Sequence, residues 1–418
     1  MTKRLILAFV FLSWHLVACS NGDSGISSGL PDKPSAEEDS PGTETISEEM
    51  RVKITGEDLY ISAKLDAKTD ILYWFKKCMF NELFTFYRVG TIDNNMPAPA
   101  TLPDVSPTSL LNLAYSDNIG PFNITGYGWC GGNHPYLDEV TQTARNIGYR
   151  IYIDGKEIKT DLSTLTKEIK IEVINEIMNP SKADTSSGKT LLNEILCIET
   201  VNYSIYRNNI QVLVTHEFQN ESPVTVQMYY GMQSMFDKET HTLTANGKYV
   251  DWTVQKDVST FTKKEYPSFR RFIEKSANAY QSSYLFADGL GNHEEISDDD
   301  IIFIGNSSNK TYHKIIADRE HKKGDIIHWS GVYTWFKSPV SDDDDFLCYE
   351  GVIDNKKVLF IDCKKSVDRT IQLPVDYTKK SFTIIEKSKS ITITGNKVTA
   401  KGLRIVSDGS GSCVITFD

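Results

Sequence analysis

Residues 197–218, CIETVNYSIYRNNIQVLVTHEF, alternate apolar and polar side chains on both sides of Asn208-Asn209. Period-two alternation is typical of a half-buried β-strand, and two alternating runs around a short polar turn are typical of a β-hairpin. Val224–Tyr230 continues the alternation beyond this hairpin. The centre of the chain therefore predicts neighbouring antiparallel strands.

Further hairpins are predicted where alternating runs flank Asp154-Gly155 and Asn246-Gly247. Both dipeptides favour the tight turns that join antiparallel strands. Near the C-terminus, short runs separated by turn residues follow one another: Ser390–Thr394, Lys397–Lys401, Leu403–Val406 and Cys413–Phe417. Many short strands with hairpin turns indicate antiparallel sheets packed as a sandwich.

Helix signals are few. Pro267–Tyr280 is one candidate, because it opens with a proline and carries Phe269, Phe272 and Ile273 on roughly one face. Leu162–Ile174 is ambiguous between helix and strand. The predicted fold is mostly β, a large antiparallel sandwich resembling a supersandwich, with few helices and a small C-terminal β subdomain.

The composition limits the classes of function. The chain has 418 residues, of which 40% are hydrophobic, enough for a packed core. Lys and Arg total 45 against 56 Asp and Glu, a formal net charge of −11. Proteins that bind nucleic acid usually carry the opposite balance, so no nucleic acid partner is expected.

The first residues have the order of an export signal. Lys3 and Arg4 precede an apolar run that is too short to span a bilayer stably. The run ends in Leu16-Val17-Ala18-Cys19, which resembles the lipobox of bacterial lipoproteins. This resemblance implies that Cys19 is acylated, for instance with palmitate, and anchors the chain in a bacterial cell envelope, on a leaflet of the outer membrane that the sequence does not fix. The alternative is an ordinary secretory signal in which Cys19 is incidental.

The domain organisation follows from these segments. The predicted parts are a signal peptide at 1–18, a flexible acidic tether at 19–50, a main β-sandwich at 51–340 and a C-terminal β subdomain at 341–418. The boundary near 341 rests on Pro339 and the acidic run Asp342–Asp345, and the alternative is that the C-terminal residues complete the main body.

One register can be predicted within the C-terminal part. The segment Phe346–Asp362 alternates around Asp354-Asn355-Lys356-Lys357. A turn centred on Asn355-Lys356 would place Cys348 opposite Cys363, at a distance that a disulfide can bridge.

The most unusual segment is Gly126–Tyr136, GYGWCGGNHPY. Its glycines allow tight bends, and the chain then presents Trp129, Asn133, His134 and Tyr136. The functional hypothesis is a site loop in which His134 and Tyr136 exchange protons while Trp129 and Asn133 contact a ligand. The alternative is a structural connector.

A second candidate lies in the strand Val212–Phe218. Period two places His216 on the apolar side, which faces either the core or a concave groove. The alternatives are a catalytic histidine and a core histidine with satisfied hydrogen bonds. Tyr229 and Tyr230 on the following strand are candidate groove residues.

The runs VTHEFQN and TVQMYYGM resemble the galactose-mutarotase-like β-supersandwich of sugar epimerases and polysaccharide lyases. This resemblance, which covers about Ile169–Trp252, implies a concave sheet that binds carbohydrate and uses His or Tyr for proton transfer. It marks His216, Tyr229 and Tyr230 as groove candidates. Arg270, in a compact basic pair, is the candidate for binding a sugar acid.

Three classes of function remain open. The first is a carbohydrate-active enzyme, such as a lyase or epimerase, in which His134, Tyr136 and His216 transfer protons. The second is a glycan-binding lipoprotein without catalysis, and the third is a structural envelope protein. No C-x-x-C or H-E-x-x-H spacing occurs, so no metal and no cofactor are expected.

Overall fold

The computed structural model describes residues 46–102, 109–113, 119–235, 241–244, 249–251, 259–261, 270–276, 279–286, 301–304 and 310–418. The predicted signal peptide, Cys19 and most of the predicted tether lie outside these ranges. Within them, no helix has the length and apolar character needed to cross a membrane.

Strands make up nearly all of the regular structure. From Met50 to Leu192 they are β1 (Met50–Thr55), β2 (Asp58–Asp66), β3 (Thr69–Cys78), β4 (Leu83–Asp93), β5 (Ser109–Leu113), β6 (Pro121–Ile124), β7 (Gly128–Gly131), β8 (Ala144–Ile153), β9 (Lys156–Ile158), β10 (Leu162–Thr166), β11 (Ile169–Met178), β12 (Ala183–Asp184) and β13 (Leu191–Leu192).

The central and C-terminal strands follow. From Ile195 to Phe336 they are β14 (Ile195–Tyr206), β15 (Asn209–Phe218), β16 (Val224–Met235), β17 (His241–Thr244), β18 (Tyr249–Asp251), β19 (Ser259–Phe261), β20 (Arg271–Lys275), β21 (Tyr280–Leu285), β22 (Ile301–Ile304), β23 (Lys310–His321) and β24 (Ile326–Phe336). The last strands are β25 (Ser341–Asp342), β26 (Phe346–Ile353), β27 (Lys356–Cys363), β28 (Val367–Ile371), β29 (Phe382–Lys387), β30 (Ile391–Ile393), β31 (Leu403–Ser407) and β32 (Gly411–Phe417). The helical residues among those described form single 3₁₀ turns, Pro180–Lys182 and Val375–Tyr377.

Three large sheets share the main core. Among the described residues, a ten-stranded antiparallel sheet has the order β18-β17-β20-β21-β24-β15-β14-β11-β8-β9. Two six-stranded sheets have the orders β10-β1-β2-β3-β4-β5 and β19-β22-β23-β16-β6-β7. Phe75, Tyr229 and Trp329, one from each sheet, belong to one buried apolar cluster. Antiparallel sheets that enclose a shared core in this way form a β-sandwich, so the predicted fold class is confirmed.

The central hairpins have the predicted strands. β8 and β9 pair around Asp154-Gly155, where both residues have positive φ, as a type I′ turn requires. β14 and β15 pair from Tyr206 opposite Asn209 onward. The turn is therefore Arg207-Asn208, one residue earlier than Asn208-Asn209, and Asn209 begins β15.

The predicted helix at Pro267–Tyr280 is wrong where the structure describes it. Arg271–Lys275 form β20, which pairs with β17 and β21. Phe272 and Ile273 are both buried, on opposite faces of the sheet. A strand that is buried on both faces loses the alternating pattern, and its adjacent apolar residues then imitate one side of a helix. In the segment Leu162–Ile174, ambiguous in the sequence, residues 162–166 form β10 and residues 169–174 begin β11.

The predicted pairing of Cys348 with Cys363 is also wrong. Cys348 lies opposite Ile361, and Cys363 lies opposite Phe346. The turn is Asp354-Asn355, whose residues both have positive φ, so it lies one residue earlier than the predicted centre. The thiols of both cysteines are free and buried.

The C-terminal strands form two smaller sheets. Within the described residues, their orders are β25-β26-β27-β32-β29 and β28-β31-β30, and they enclose an apolar cluster of their own. A further cluster joins this part to the ten-stranded sheet, because Ile273 and Val332 pack with Tyr349 and Phe360. The domain boundary near 341 stays a prediction.

Candidate functional site

The β6–β7 hairpin carries the glycine-rich segment. β6 and β7 pair so that Phe122 lies opposite Cys130 and Asn123 lies opposite Trp129. Phe122 and Cys130 are buried in the main core, so Trp129 points to the other face of the sheet. Gly128, at the end of the turn, has a φ of 90°, which glycine adopts without strain.

Buried hydrogen bonds hold the loop that follows the hairpin. Asn81 Nδ2 donates to the carbonyl oxygen of Gly132 at 2.7 Å. The amide of Phe80 donates to the carbonyl oxygen of Asn133 at 3.2 Å. Asn81 and Asn133 are both buried, so water does not compete for these bonds. The anchored loop fixes the starting point of the segment that presents His134.

Stacked rings cross the outer face of this part of the sheet. The Trp129 ring lies 6.2 Å from Tyr136 and 5.8 Å from Tyr230, measured between centroids, with interplanar angles of 30° and 20°. Tyr230 in turn lies 5.0 Å from Tyr312. His134 meets the edge of Tyr136 at 5.6 Å. We call these five side chains the aromatic row.

The aromatic row is only partly covered. His134, Tyr136, Trp129 and Tyr230 are half-buried, whereas Tyr312 is 9% exposed. Partial burial raises the pKa of Tyr230 to about 12, so its phenol is neutral and able to donate a hydrogen bond at physiological pH. The row thus offers partly exposed aromatic surface with polar groups at its edges.

The backbone of Gly120 packs closely against the backbone of Tyr230. A Cβ atom added at Gly120 would lie 1.5 Å from the carbonyl oxygen of Tyr230, and Gly120 also has a φ of 97°. Only glycine fits both the close approach and the backbone conformation. The backbone that carries the centre of the aromatic row is therefore packed directly against a neighbouring segment.

His216 lies in the core behind the aromatic row. It is fully buried, and its ring meets the faces or edges of Phe122 and Tyr229 at 4.9 and 5.0 Å. His216 Nε2 lies 2.9 Å from Oε2 of Glu199, whose other oxygen accepts a hydrogen bond from Asn175 at 2.9 Å. The cross-strand register places these polar residues side by side on the inner face of the ten-stranded sheet.

The structure places the predicted site residues in three places: in the aromatic row, in the core behind it, and, for Arg270, beside the C-terminal strands. Trp129, His134, Tyr136 and Tyr230 come together in the aromatic row. Tyr229 and His216 lie inside the core, where Tyr229 donates a hydrogen bond to the carbonyl oxygen of Ile119 at 2.7 Å. Asn133 is 3% exposed, and its described contact is made through the backbone.

Arg270 lies on a different sheet. It adjoins β20 and forms an ion pair with Glu386 of β29, whose carboxylate also accepts a hydrogen bond from Tyr284. A sugar acid at the aromatic row would not meet this guanidinium, because Arg270 faces the C-terminal strands. Tyr312 of β23 also belongs to the row but was not a candidate from the sequence, because its contact with Tyr230 joins strands far apart in the chain.

A second group of half-buried aromatics lies on the sheet β10-β1-β2-β3-β4-β5. Tyr60 stacks on Trp74 at 5.5 Å, and Tyr87 meets Trp74 edge-on at 5.1 Å. Lys76 Nζ lies 4.3 Å above the Trp74 ring, and the Arg88 guanidinium lies 4.8 Å from the Tyr87 centroid. The protein's own cations therefore cover these rings. Among the described residues, no such cation lies over Trp129 or Tyr230.

A buried carboxyl group lies between the ten-stranded sheet and β23. Glu274 of β20 accepts hydrogen bonds from Thr242 and from Thr311, the latter at 3.1 Å. Burial raises the pKa of Glu274 from 4.5 to about 8, although both hydroxyls act in the opposite direction. No cluster of three or more metal-ligating side chains was found in the part of the chain that the structure describes.

Comparisons with known proteins find structural likenesses at low identity. No family model matches the chain, and no curated protein matches it. A GH36 alpha-galactosidase from Geobacillus stearothermophilus is 8% identical over 69% of this chain and 41% of its own, with a TM-score of 0.39. An alpha-galactosidase from Lactobacillus brevis is 11% identical over 69% of this chain and 40% of its own, with a TM-score of 0.38.

A third solved structure is the galactosidase domain of an alpha-galactosidase–sucrose kinase, 10% identical over 66% of this chain, with a TM-score of 0.37. The chain spans about 40% of the length of these proteins. At these identities and scores, the likeness assigns no activity to this chain.

Proposed function

We propose that the protein binds carbohydrate on the aromatic row. The observation that carries the proposal is the continuous stack of Tyr136, Trp129 and Tyr230 on an outer sheet face, with the rings half-buried. Rings that serve only to fill a core are covered on both faces. Aromatic rings that stay half-exposed on a sheet face suit contact with the apolar faces of sugar rings, and their hydroxyl and imidazole groups suit sugar hydroxyls.

The contrast with the second aromatic group supports this assignment. Lys76 lies over Trp74, so a sugar could stack there only after displacing a cation. Trp129 and Tyr230 lie within 20° of parallel, with their centroids 5.8 Å apart and no cation over either ring among the described residues. A ligand that contacts these rings gains apolar contact area without displacing a cation.

We test the proposal with a glycan panel and isothermal titration calorimetry on the folded protein. Trp129→Ala should weaken binding of the best glycan by about 10-fold or more, because a central aromatic anchor typically contributes about 2 kcal/mol or more. Trp74→Ala is the matched control, since it removes the same half-buried residue type from the other surface. Equal affinity of the Trp129→Ala and unmutated proteins would refute the proposed site.

A second candidate function is proton-transfer catalysis on the bound glycan, as in a lyase or epimerase. The specific observation is the contact between His134 and Tyr136 at one end of the aromatic row, which places two groups capable of proton transfer beside the proposed platform. His216 would take part only from inside the core, because its ring is fully buried.

The catalytic candidate is tested by the ultraviolet absorbance of an unsaturated product. His134→Ala should lower turnover by about 100-fold or more at unchanged thermal stability. If no glycan on the panel yields product, or if His134→Ala lowers stability instead, the non-catalytic binding function stands and the lyase candidate fails.

The proposed location is a bacterial cell envelope, where lipidated Cys19 holds the protein on a membrane. Its support is the order of charged, apolar and small residues before Cys19. Acyl chains would provide the membrane affinity, so Cys19→Ala should move the protein from the membrane fraction to the soluble fraction. Retention of the substituted protein on membranes stripped of other proteins would contradict lipid anchoring.

A further inference from the structure

A cleft lies where the ten-stranded sheet meets the C-terminal strands. Its volume is about 320 Å³. The walls are the end of β2, the β14–β15 turn, residues 336–340 after β24, and the middle of β26. We call it the junction cleft. Concave sites of this size at the junction of two packed units are common places for small ligands.

The β14–β15 turn presents a guanidinium to the junction cleft. The turn is held in place, because Tyr73 donates a hydrogen bond to the carbonyl oxygen of Arg207 at 3.0 Å. Arg207 Nη2 lies 3.5 Å from the carbonyl oxygen of Lys64, a long contact. Its Nε is buried and has no hydrogen-bond partner among the described residues. A buried N–H donor that makes no hydrogen bond destabilises the folded state.

The two lysines around the junction cleft have ion-pair partners, whereas the carboxylate of Glu350 has a neutral hydrogen-bond partner. Lys337 Nζ lies 3.4 Å from an Asp66 carboxylate oxygen. Lys357 pairs in the same way with Glu48 at 3.2 Å. Glu350 accepts a hydrogen bond from the Tyr377 hydroxyl at 2.6 Å.

Arg207 has no ion pair with any residue that the structure describes. Arg207 helps to lower the pKa of Glu48, although Lys357 is the larger cause. The junction cleft therefore contains one guanidinium without an ion-pair partner among the described residues, together with the Glu350 carboxylate.

We propose that the junction cleft binds a small carboxylate-bearing molecule, of the size and polarity of a hexuronic acid, with its carboxylate on Arg207. A planar guanidinium matches a carboxylate with two parallel hydrogen bonds. Because the Glu350 carboxylate lines the same cleft as Arg207, a ligand with one negative charge fits better than a phosphate with two. The mixed lining, in which Phe336 and Pro339 lie beside polar backbone, suits a polyhydroxylated ring. This site is separate from the aromatic row and does not depend on it.

The test is titration of the folded protein with glucuronate, glucose and inorganic phosphate. Glucuronate should bind, and glucose and phosphate should bind at least about 10-fold more weakly, because hydrogen bonds to a charged group decide the affinity. Arg207→Gln should weaken glucuronate binding by about 10-fold or more. Arg150→Gln, which changes an exposed arginine of β8, is the matched control and should bind normally.

Two further variants separate the possible failures. Ser338→Trp should block the junction cleft without altering Arg207, so it keeps the test valid if Arg207→Gln unfolds. Trp129→Ala should leave glucuronate binding unchanged, which distinguishes this site from the aromatic row. The proposal would be overturned if Arg207→Gln and Ser338→Trp bound glucuronate as tightly as the unmutated protein, or if phosphate bound as tightly as glucuronate.

Discussion

At the residue scale, Glu274 makes the stability of the protein depend on pH. Its carboxyl group is 2% exposed, and burial raises its pKa from 4.5 to about 8. The folded state therefore binds this proton more tightly than the unfolded state does. The stabilisation is complete below about pH 4.5. It decreases by up to about 1.4 kcal/mol per pH unit as the pH rises from there, and it is lost once the pH has risen through the folded pKa of about 8.

Urea denaturation between pH 5 and 9 measures this effect. Glu274→Gln should flatten the decline in the free energy of unfolding, because the amide does not titrate. Glu217→Gln, on the exposed side of β15, is the control and should keep the decline. An unchanged slope in Glu274→Gln would show that Glu274 is ionised in the folded protein.

Single residues of the site differ in how well the sequence predicts them. The glycine spacing indicates that Trp129, His134 and Tyr136 lie on one loop, since those residues are close in sequence. It does not show that Tyr312 completes the row, because that contact joins strands far apart in the chain. Nor does period two decide whether His216 faces a groove or a core. The decision depends on Phe122 and Tyr229, which cover its ring from another sheet.

At the scale of elements, local turn chemistry determines the hairpins, and their exact register depends on which residues accept positive φ. The sequence predicts the turn at Asp154-Gly155 correctly, because glycine is the expected residue at a turn position with positive φ. Asp354-Asn355 was displaced by one position in the prediction, since several polar residues follow one another and each could occupy the turn. The sequence of β20 predicts a helix because both faces of the strand are buried, so that its apolar residues do not alternate with polar ones.

The β26–β27 turn provides a test of this register. Asn355 has a φ of 59° and is exposed, so its side chain contributes little packing. Asn355→Val should lower the free energy of unfolding by about 1–2 kcal/mol, because a β-branched residue resists the left-handed conformation. Asn355→Gly should be tolerated. Chemical denaturation of the two variants gives the comparison, and equal stabilities would contradict the assigned turn.

At the scale of the whole molecule, the C-terminal strands are joined to the main sandwich by a buried ion pair as well as by apolar contacts. Arg271 Nε donates to Asp362 Oδ1 at 2.8 Å, and Ser412 donates to the same oxygen at 2.6 Å. Both charged side chains are about 2% exposed. The sequence predicted a C-terminal β unit from its alternating runs. It could not predict this pair, because Arg271 and Asp362 are 91 residues apart.

The ion pair and the shared apolar cluster predict that both parts unfold together. Asp362→Ala should lower the free energy of unfolding by about 3–5 kcal/mol, because it leaves the Arg271 charge buried without its partner. The double variant Arg271→Met with Asp362→Leu should recover most of that loss, since an apolar pair of similar volume needs no compensation for desolvation. Urea denaturation followed by tryptophan fluorescence and by far-ultraviolet circular dichroism measures both. Separate transitions for the two probes in the unmutated protein, or a double variant as unstable as Asp362→Ala, would show that the pair does not couple the C-terminal strands to the ten-stranded sheet.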